Sequence, residues 1–425
     1  MKNKIGLAVV FMILICIQIS AQIKHAEKSK YMSYKGLVMA GYQGWFNCEG
    51  DGAQRGWTHY NKDGRFEDGS CTIDLWPEMD EYKVKYITPF KFEDGSPAYV
   101  FSSFDESTVD LHFRWMKEYG IDGVFMQRFF SVLTSQNRLN HNDKVLASAI
   151  KAANKYGVAI CLMYDIGSMD DSQYKLVIED WKHLVDDLKI TNQGKNTSYL
   201  FHNGKPLVAF WGISAGTRES GHIPEIFDIM DFFKNDPVYG GCSIHLGIPS
   251  RWRTLGSDTK GDPRLHEVIK QADVVHPWLV GRFNEKSYEA YRQENIIDDV
   301  KWCKENGKSY APTIFPGFSW HNMKDDKSDK IPRNKGEFYW EQIAGAIESG
   351  AEMLYVAMFD EIDEGTAIMK CAHEVPVGKS VFVPIEKEVP SDHYLWLTGM
   401  AGKMLRGEIP FSRKMPERKL ISVCL

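Results

Sequence analysis

Features that mark metal-binding, nucleic-acid-binding and membrane proteins are missing from this chain of 425 residues. It contains no C-x-x-C and no H-E-x-x-H pattern, so no motif supports a zinc site. Its formal charge of −6 comes from interspersed acids and bases without a basic stripe, which argues against nucleic acid as a partner. Beyond residue 21, no apolar run reaches the ~20 residues that a membrane-spanning helix needs. The sequence predicts no metal, no cofactor and no membrane span.

The cysteines do not form the pattern of a disulfide framework. The chain has eight of them, and the seven that follow Cys16 are odd in number and widely scattered. Cys48 and Cys71 flank a loop rich in glycine and aspartate, so either a disulfide closes this loop or both thiols are free. Cys161 and Cys242 stand in apolar, strand-like runs, where we expect them to be small buried residues.

The N-terminus has the layout of a cleaved secretory signal. A short positive start precedes an almost wholly apolar run over 5–19, and the small residues Ser20 and Ala21 follow it. Cys16 raises the alternative of a lipid anchor, but Ile15 stands before it where lipoproteins have a small residue. We predict cleavage after residue 21 and a secreted or periplasmic protein, with a cell-surface lipoprotein as the less favoured alternative.

From residue 37 onward, eight short apolar runs alternate with segments of helical pattern. The runs are continuously apolar, which is typical of parallel strands that are buried on both faces. Strands are predicted over 37–41, 121–127, 158–165, 207–212, 242–247, 274–278, 310–315 and 353–359. Helices are predicted over 108–119, 143–156, 173–188, 224–233, 263–271, 288–306, 337–349 and 393–405.

This alternation predicts an α/β fold, a single (β/α)8 TIM barrel with a long insertion after the first strand. A nine-strand open sheet is the alternative, because the run over 98–103 could count as a further strand. We assign that run to the insertion instead. The predicted divisions are a signal peptide over 1–21, a linker over 22–35, the barrel over 36–408 with its insertion over 45–107, and a C-terminal tail over 409–425.

The ends of the predicted strands carry a mixture of rings and polar groups. In a barrel of this kind the active site lies at the carboxyl ends of the strands. Aromatic rings can stack on the faces of sugars and polar groups can bind hydroxyls, so the mixture favours a poly- or oligosaccharide ligand. Candidate substrate-binding residues are Tyr42, Trp45, Arg128, Asp165, Trp211, His276, Trp278 and Trp320.

Each of these candidates also has a purely structural interpretation. The rings could pack in the core, and Asp165 could cap the loop that follows its strand. Arg128 could hold an active-site glutamate ionised, or it could bridge an acid with a structural role.

The last predicted strand runs into four acids within five residues, from Asp360 to Glu364. Such a cluster is costly, because like charges repel and raise one another's pKa. Cleavage of a glycosidic bond uses two carboxyl groups, one protonated and one ionised. Glu361 and Glu364 can cooperate only if the chain turns after Phe359, since residues three apart share a face in a helical turn but not in a strand. Gly365 favours that turn; a solvated acidic loop is the alternative.

The segment from Phe359 to Thr366 resembles the E-x-x-E-G-T motif of glycoside hydrolase family 99, the endo-α-mannosidases, and of the related family 71. Gly41-Tyr42 near the start and Pro316-Gly317 late in the chain are similar in order to that family's landmarks. The resemblance implies an endo-acting, retaining hydrolase on a TIM barrel. It also implies that Glu361 is the base that activates the sugar's own 2-hydroxyl, and that Glu364 is the general acid and base.

The chain departs from family 99 between the two glutamates. The family has Trp-His there, whereas this chain has Ile362-Asp363. The resemblance therefore leaves the sugar and its linkage open. Two alternative functions stay open as well: a catalytically inactive glycan-binding barrel, and an exo-acting glycosidase of another specificity.

Overall fold

The computed structural model describes residues 23–192, 197–214 and 221–418. The predicted signal peptide over 1–21 lies outside these residues, as does the end of the predicted tail, 419–425. No helix within the described ranges is long and apolar enough to cross a membrane.

The described residues form twelve strands and eleven α-helices in a largely alternating order. The strands are β1 Val38–Tyr42, β2 Tyr86–Lys91, β3 Pro97–Val100, β4 Gly123–Phe129, β5 Ala159–Asp165, β6 Phe201–His202, β7 Lys205–Trp211, β8 Ser243–Ile248, β9 Val274–Pro277, β10 Ser309–Tyr310, β11 Thr313–Ile314 and β12 Leu354–Val356. The helices are α1 Glu106–Tyr119, α2 Phe130–Leu133, α3 Gln136–Tyr156, α4 Lys175–Asp186, α5 Ile223–Asn235, α6 Arg264–Gln271, α7 Glu285–Tyr291, α8 Ile297–Glu305, α9 His321–Lys324, α10 Glu337–Glu348 and α11 His393–Leu405.

A curled parallel sheet lies at the centre of this α/β fold. Its nine strands follow the order β10-β9-β8-β7-β5-β4-β1-β12-β11, and β6 adds an antiparallel edge to β7. Every residue of β1 and β8 is buried, as expected for strands covered on both faces. Each of the eight runs predicted as strands overlaps at least one strand of this sheet.

The ninth strand does not come from the run over 98–103. That run begins within β3, which pairs with β2 in a separate two-stranded sheet inside the predicted insertion. The count of nine arises because the predicted strand over 310–315 is divided into β10, which pairs with β9, and β11, which pairs with β12. Pro312 lies between the two halves and has no N–H for a ladder hydrogen bond.

The predicted helices agree with the structure best at their C-termini. α1 and α3 end at Gly120 and Gly157, whose φ angles of 78° and 66° are left-handed, a conformation that glycine adopts without strain. α3 begins at Gln136 rather than at Asp143. The reason is that residues 136–142 are mostly polar and exposed, so no apolar periodicity marks the first turns.

The segments at either side of β1 are attached to the sheet. In the predicted linker, Tyr34 is fully buried and its hydroxyl donates to the carbonyl of Leu354 at 2.8 Å, so the end of this segment packs in the core. In the predicted insertion, the backbone N–H groups of Asp74 and Leu75 both donate to the carbonyl of Ile362 at 3.0 Å. The insertion therefore supports the loop that follows β12.

Cys48 and Cys71 are both free and buried, so the disulfide that one alternative placed between them is absent. The Cys48 thiol donates to the carbonyl of Phe101 at 3.2 Å, and the Cys71 thiol donates to the Ser380 hydroxyl at 3.5 Å. Burial raises the pKa of Cys71 to about 11, which keeps the thiol protonated and unreactive near neutral pH. Cys161 and Cys242 are buried, which confirms their predicted placement.

Candidate active site

The chain turns directly after β12, and this turn confirms the geometric condition that the sequence set for the two glutamates. The backbone N–H groups of Thr366 and Ala367 both donate to the carbonyl of Glu361 at 3.2 Å. Gly365 adopts a φ of 67°, which a residue with a side chain would adopt only with strain. As a result, Glu361 and Glu364 line the same cavity.

That cavity has a volume of about 220 Å³ and lies at the carboxyl ends of the parallel strands. Its walls combine three carboxyl groups with aromatic rings, two amides and two thioethers. The lining residues are Gln43, Trp45, Gln127, Phe129, Met163, Asp165, Trp211, Trp278, Trp320, Met358, Glu361 and Glu364. A wider groove of about 1150 Å³ lies between the insertion and residues 372–377, and it contains neither glutamate.

Glu361 is held by two hydrogen bonds at the floor of the cavity. It is only 3% exposed; its Oε1 accepts a hydrogen bond from Gln43 Nε2 at 2.5 Å and its Oε2 accepts one from Thr366 Oγ1 at 2.8 Å. Burial, Glu364 and then Asp363 raise the pKa of Glu361 well above its ordinary value. The two hydrogen bonds oppose this rise, because they favour the ionised form.

Glu364 is partly exposed, and the side-chain donor directed at it is the indole N–H of Trp320. Burial and the charge of Asp363 raise the pKa of Glu364 to about 8, while Trp320 and Lys324 oppose the rise. The Glu364 carboxyl is thus protonated near neutral pH and can donate a proton. Two carboxyl groups in one cavity, of which Glu361 accepts two side-chain hydrogen bonds that favour its ionised form, can serve general acid and base chemistry.

Asp360 and Asp363 have other partners. The carboxylate of Asp360 accepts hydrogen bonds from the backbone N–H groups of Gln43 and Gly44, both at 2.8 Å, so it fixes the end of β1 beside the glutamates. Asp363 is fully buried, and its Oδ2 lies 3.4 Å from Nδ1 of His59 in the insertion. Burial, then Asp74, raise the pKa of Asp363 to about 8.

Five of the eight predicted substrate-binding residues line the cavity: Trp45, Asp165, Trp211, Trp278 and Trp320. The Trp211 and Trp278 rings lie 5.5 Å apart and form one wall. The Trp45 ring stacks on His59 with centroids 3.8 Å apart and planes at 5°. These contacts leave indole faces of fixed orientation beside the carboxyl groups.

Asp165 caps the loop after its strand, as one of its two suggested roles requires, and its carboxyl group also lines the cavity. Its Oδ1 accepts a hydrogen bond from the backbone N–H of Gly167 at 2.8 Å, which caps the loop after β5. It also faces the cavity, where burial raises the pKa of its carboxyl to about 6.

Tyr42 and His276 lie away from the cavity, which corrects the prediction for both. The Tyr42 hydroxyl bonds to His112 Nδ1 at 2.9 Å, so its ring is fully buried between β1 and α1. His276 is buried within the sheet's curl, where Nε2 lies 2.8 Å from Thr313 Oγ1 and the imidazole packs 4.1 Å from the Tyr355 ring.

Arg128 does not approach either glutamate. Its Nε donates to Asp180 at 2.7 Å and its Nη2 donates to Asp143 at 2.9 Å, and the side chain has no exposed surface. The physical reason is strand alternation: Gln127 and Phe129 face the cavity, so Arg128 between them faces α3 and α4. Of its two suggested roles, the bridge to a structural acid is the one observed.

The sequence analysis missed several residues of the cavity wall. None of them is charged, only Phe129 carries a ring, and the signal that would have found those on or beside β1, β4 and β5 is the same two-residue alternation. The missed residues are Gln43, Gln127, Phe129, Met163 and Met358. Among the described residues, the side-chain amide oxygen of Gln43 and the indole N–H of Trp45 are buried without hydrogen-bond partners, so both can bind a ligand's hydroxyl groups.

The only group of three potential metal ligands in the described part of the chain consists of Asp171, His222 and Glu225, whose ligand atoms lie within 4.8 Å of one another. His222 Nδ1 lies 2.6 Å from Asp171 Oδ1, and none of the three residues lines the cavity. The carboxyl groups of the cavity form no such group.

No family model matches the chain. Among curated proteins, the glycoprotein endo-alpha-1,2-mannosidase of Mus musculus is 19% identical over 304 residues, which cover 70% of this chain. The chain spans about 60% of the length of this curated relative.

Solved structures share the fold more extensively. The glycoside hydrolase family 99 endo-alpha-mannosidase from Bacteroides thetaiotaomicron matches with a TM-score of 0.62 at 16% identity, covering 88% of this chain and 99% of that one. Its complex with bis-tris-propane matches with a TM-score of 0.61 at 16% identity and the same coverage. A glycoside hydrolase-like protein matches with a TM-score of 0.50 at 14% identity, covering 79% of this chain and 94% of that one.

Proposed function

We propose that this chain, a divergent relative of glycoside hydrolase family 99, is a glycoside hydrolase of the mannosidase type that acts on a poly- or oligosaccharide. The pairing of Glu361 with Glu364 in one cavity, beneath four indole rings, carries this proposal. The proposal of a mannosidase rests on the relatives that are named as endo-α-mannosidases, and the proposal of glycosidic cleavage rests on the pair of carboxyl groups.

We infer that the curled sheet closes into the eight-stranded barrel, with β10 and β11 as halves of one strand. Only Ala311 and Pro312 separate these halves. The Ala311 N–H donates to the carbonyl of Val275 at 2.9 Å, and the Tyr355 N–H donates to the carbonyl of Pro312 at 3.1 Å, so the divided strand is bonded on both sides. We assign the barrel to residues 36–408, with the insertion over 45–107.

In the proposed retaining reaction, the sugar supplies its own nucleophile. Glu361 accepts the proton of the 2-hydroxyl while that oxygen attacks the anomeric carbon, and Glu364 gives its proton to the departing glycosidic oxygen. Water then opens the anhydro sugar; Glu364 takes a proton from the water and Glu361 returns one to the 2-oxygen. The hydrogen bonds from Gln43 and Thr366 support the base role of Glu361, and the raised pKa of Glu364 supports its acid role.

We also propose endo action and export. The glutamate cavity adjoins a second one of about 340 Å³ that shares Gln43, Trp45 and Phe129 with it, which gives room for more than one sugar unit. Export follows from the signal-like N-terminus. N-terminal sequencing of the protein from culture supernatant or periplasm tests cleavage after residue 21.

The decisive experiment compares native protein with Glu361→Gln and Glu364→Gln on α-mannans and α-glucans. Both variants should lose cleavage, whereas Glu352→Gln, which removes an exposed glutamate paired with Lys35, should not. A native protein that binds these glycans but cleaves none would establish the inactive glycan-binding alternative instead.

The two glutamate roles are separated by the leaving group. Fluoride needs no proton from an acid, so an α-glycosyl fluoride should restore cleavage by Glu364→Gln far more than cleavage by Glu361→Gln. Equal restoration of both would contradict the assignment. An NMR time course that shows an inverted anomeric centre in the first product would exclude the retaining reaction.

A further inference from the structure

The second cavity, of about 340 Å³, differs in charge from the one that holds the glutamates. It shares Gln43, Trp45 and Phe129 with that cavity, and no carboxylate lines it. The other lining residues are polar or basic, apart from Val132: Arg55, Thr58, His59, Ser131, Val132, Arg138 and Asn142. A ligand that extends past Trp45 therefore passes from an acidic wall to a basic one.

The two arginines of this cavity lie outside the ion pairs that the described residues form. Among the described residues, neither Arg55 nor Arg138 forms a salt bridge, although most other arginines of the chain do. Within the described ranges, the Arg138 side chain forms one hydrogen bond, a long one of 3.4 Å to the carbonyl of Ser131. Asn142 is uncharged and accepts a hydrogen bond from Arg128. Asp51 attracts Arg55 through space, but its carboxylate is bound by other hydrogen-bond donors and makes no salt bridge with either arginine.

The surroundings of Arg55 and Arg138 are electrostatically unfavourable for a positive charge. The two guanidinium groups lie close enough that repulsion from Arg138, after burial, lowers the pKa of Arg55. Arg138 also stands in the first turn of α3, where the helix dipole disfavours a cation and where no acid compensates it. Two unpaired cations that repel each other at a cavity wall form a suitable site for an anion.

We propose that the second cavity is a subsite for an oxyanion on the glycan, bound between Arg55 and Arg138. The fitting groups are the carboxylate of a uronic acid and a sulfate ester, since guanidinium groups bind both through paired hydrogen bonds. The substrate class is then an acidic glycan whose charged unit lies next to the unit that is cleaved. This inference rests on the proposed function for its assignment to a substrate, but its test does not require cleavage.

The test measures affinity by isothermal titration at low ionic strength. The probes are three methyl α-glycosides that differ in charge: the neutral mannoside, the mannoside 6-sulfate and the glucuronide. Native protein should bind at least one charged probe about tenfold more tightly than the neutral one, and 0.3 M salt should reduce that preference. The better of the two charged probes identifies the oxyanion.

The double variant Arg55→Gln/Arg138→Gln should bind charged and neutral probes equally. Arg65→Gln is the matched control, because Arg65 belongs to the same insertion, is exposed, pairs with Glu67 and lines neither cavity. It should keep the native preference. Circular dichroism and the unfolding temperature check that each variant is folded.

Equal binding of all probes by native protein overturns the inference, and so does a preference that survives in the double variant. The two proposals can fail separately. If the protein prefers charged probes but cleaves no glycan, the proposed hydrolase function is wrong and the anion subsite stands. If it cleaves glycans without a charge preference, only the subsite is wrong.

Discussion

The substitution Arg128→Met tests whether Arg128 stabilises the fold, as the structure indicates, or binds substrate, as its position after a strand suggested. Arg128 is fully buried and is bound by Asp180 and Asp143, and Tyr164 donates a further hydrogen bond to Asp180 at 2.7 Å. Burial alone would lower the pKa of Arg128, but Asp180, Tyr164 and Asp143 raise it above its ordinary value, so the guanidinium is always charged. Arg128→Met leaves Asp180 buried beside a single hydroxyl donor.

The expected cost follows from the charge that is left behind. Removing one partner of a buried ion pair costs about 3–5 kcal/mol, because the remaining charge is uncompensated. Arg128→Met and Asp180→Leu should each lower the free energy of unfolding by this amount. The double variant should cost less than either, since replacing both charges with apolar groups is often neutral. Arg114→Met removes an exposed pair with Glu81 and should cost less than ~1 kcal/mol.

Urea unfolding measures these stabilities, and initial rates of glycan cleavage, corrected for the folded fraction, measure the chemistry. Because Arg128 does not line the cavity, its methionine variant should keep kcat within about twofold of native, well below the tenfold that ~1.4 kcal/mol would produce. The reasoning is refuted if Arg128→Met unfolds like native protein while its kcat collapses. That result would indicate that Arg128 binds the substrate, as the sequence predicted.

Three further predictions concern the site itself. The raised pKa of Glu364, about 8, should make stability fall between about pH 5 and pH 8, because folded Glu364 keeps a proton that the unfolded chain has lost. Glu364→Gln should reduce the slope of urea-derived stability over this range by up to ~1.4 kcal/mol per pH unit, and Asp363 and Glu361 should leave a slope of the same sign. Asp363→Asn removes a charge that raises the pKa of Glu364, so the alkaline limb of kcat/KM should move to lower pH; an unmoved limb would mean that Glu364 is not the acid. Gly41→Ala should cost about 1–3 kcal/mol by overpacking, since the new Cβ would lie 2.2 Å from Met358 Cε; unchanged thermal unfolding would contradict that.

The eight strands were predictable because burial on both faces leaves a continuous apolar run that needs no knowledge of register. Division of the seventh strand was not predictable, since it depends on which neighbour bonds each half of 309–314. The start of α3 could not be predicted from the apolar pattern either. Its first turns contact solvent, so only its later, apolar turns carry a periodic signal, and the true start lies at Gln136.

The site was predicted well where residue type and strand alternation agree, and badly where they conflict. Asp165 and Trp211 are of sugar-binding type and also lie on the cavity side of their strands. Tyr42 and Arg128 are equally suitable by type, but each stands one residue away from a cavity-facing glutamine. A strand's period of two decides direction, and a one-residue difference reverses it. Choosing by type alone therefore selected two residues on the outer face.

The two residues between the glutamates, Ile362 and Asp363, differ from the family 99 motif and lie behind the cavity wall. Neither Ile362 nor Asp363 lines the wall; Ile362 is fully buried and its carbonyl accepts two hydrogen bonds from the insertion. Asp363 faces His59, and the His59 ring stacks on Trp45, which belongs to both cavities. Ile362 and Asp363 thus leave both glutamate carboxyl groups in the cavity wall. Asp363 affects the site in two ways. Its charge raises the pKa of Glu364, and its contact with His59 fixes the ring on which Trp45 stacks between the two cavities.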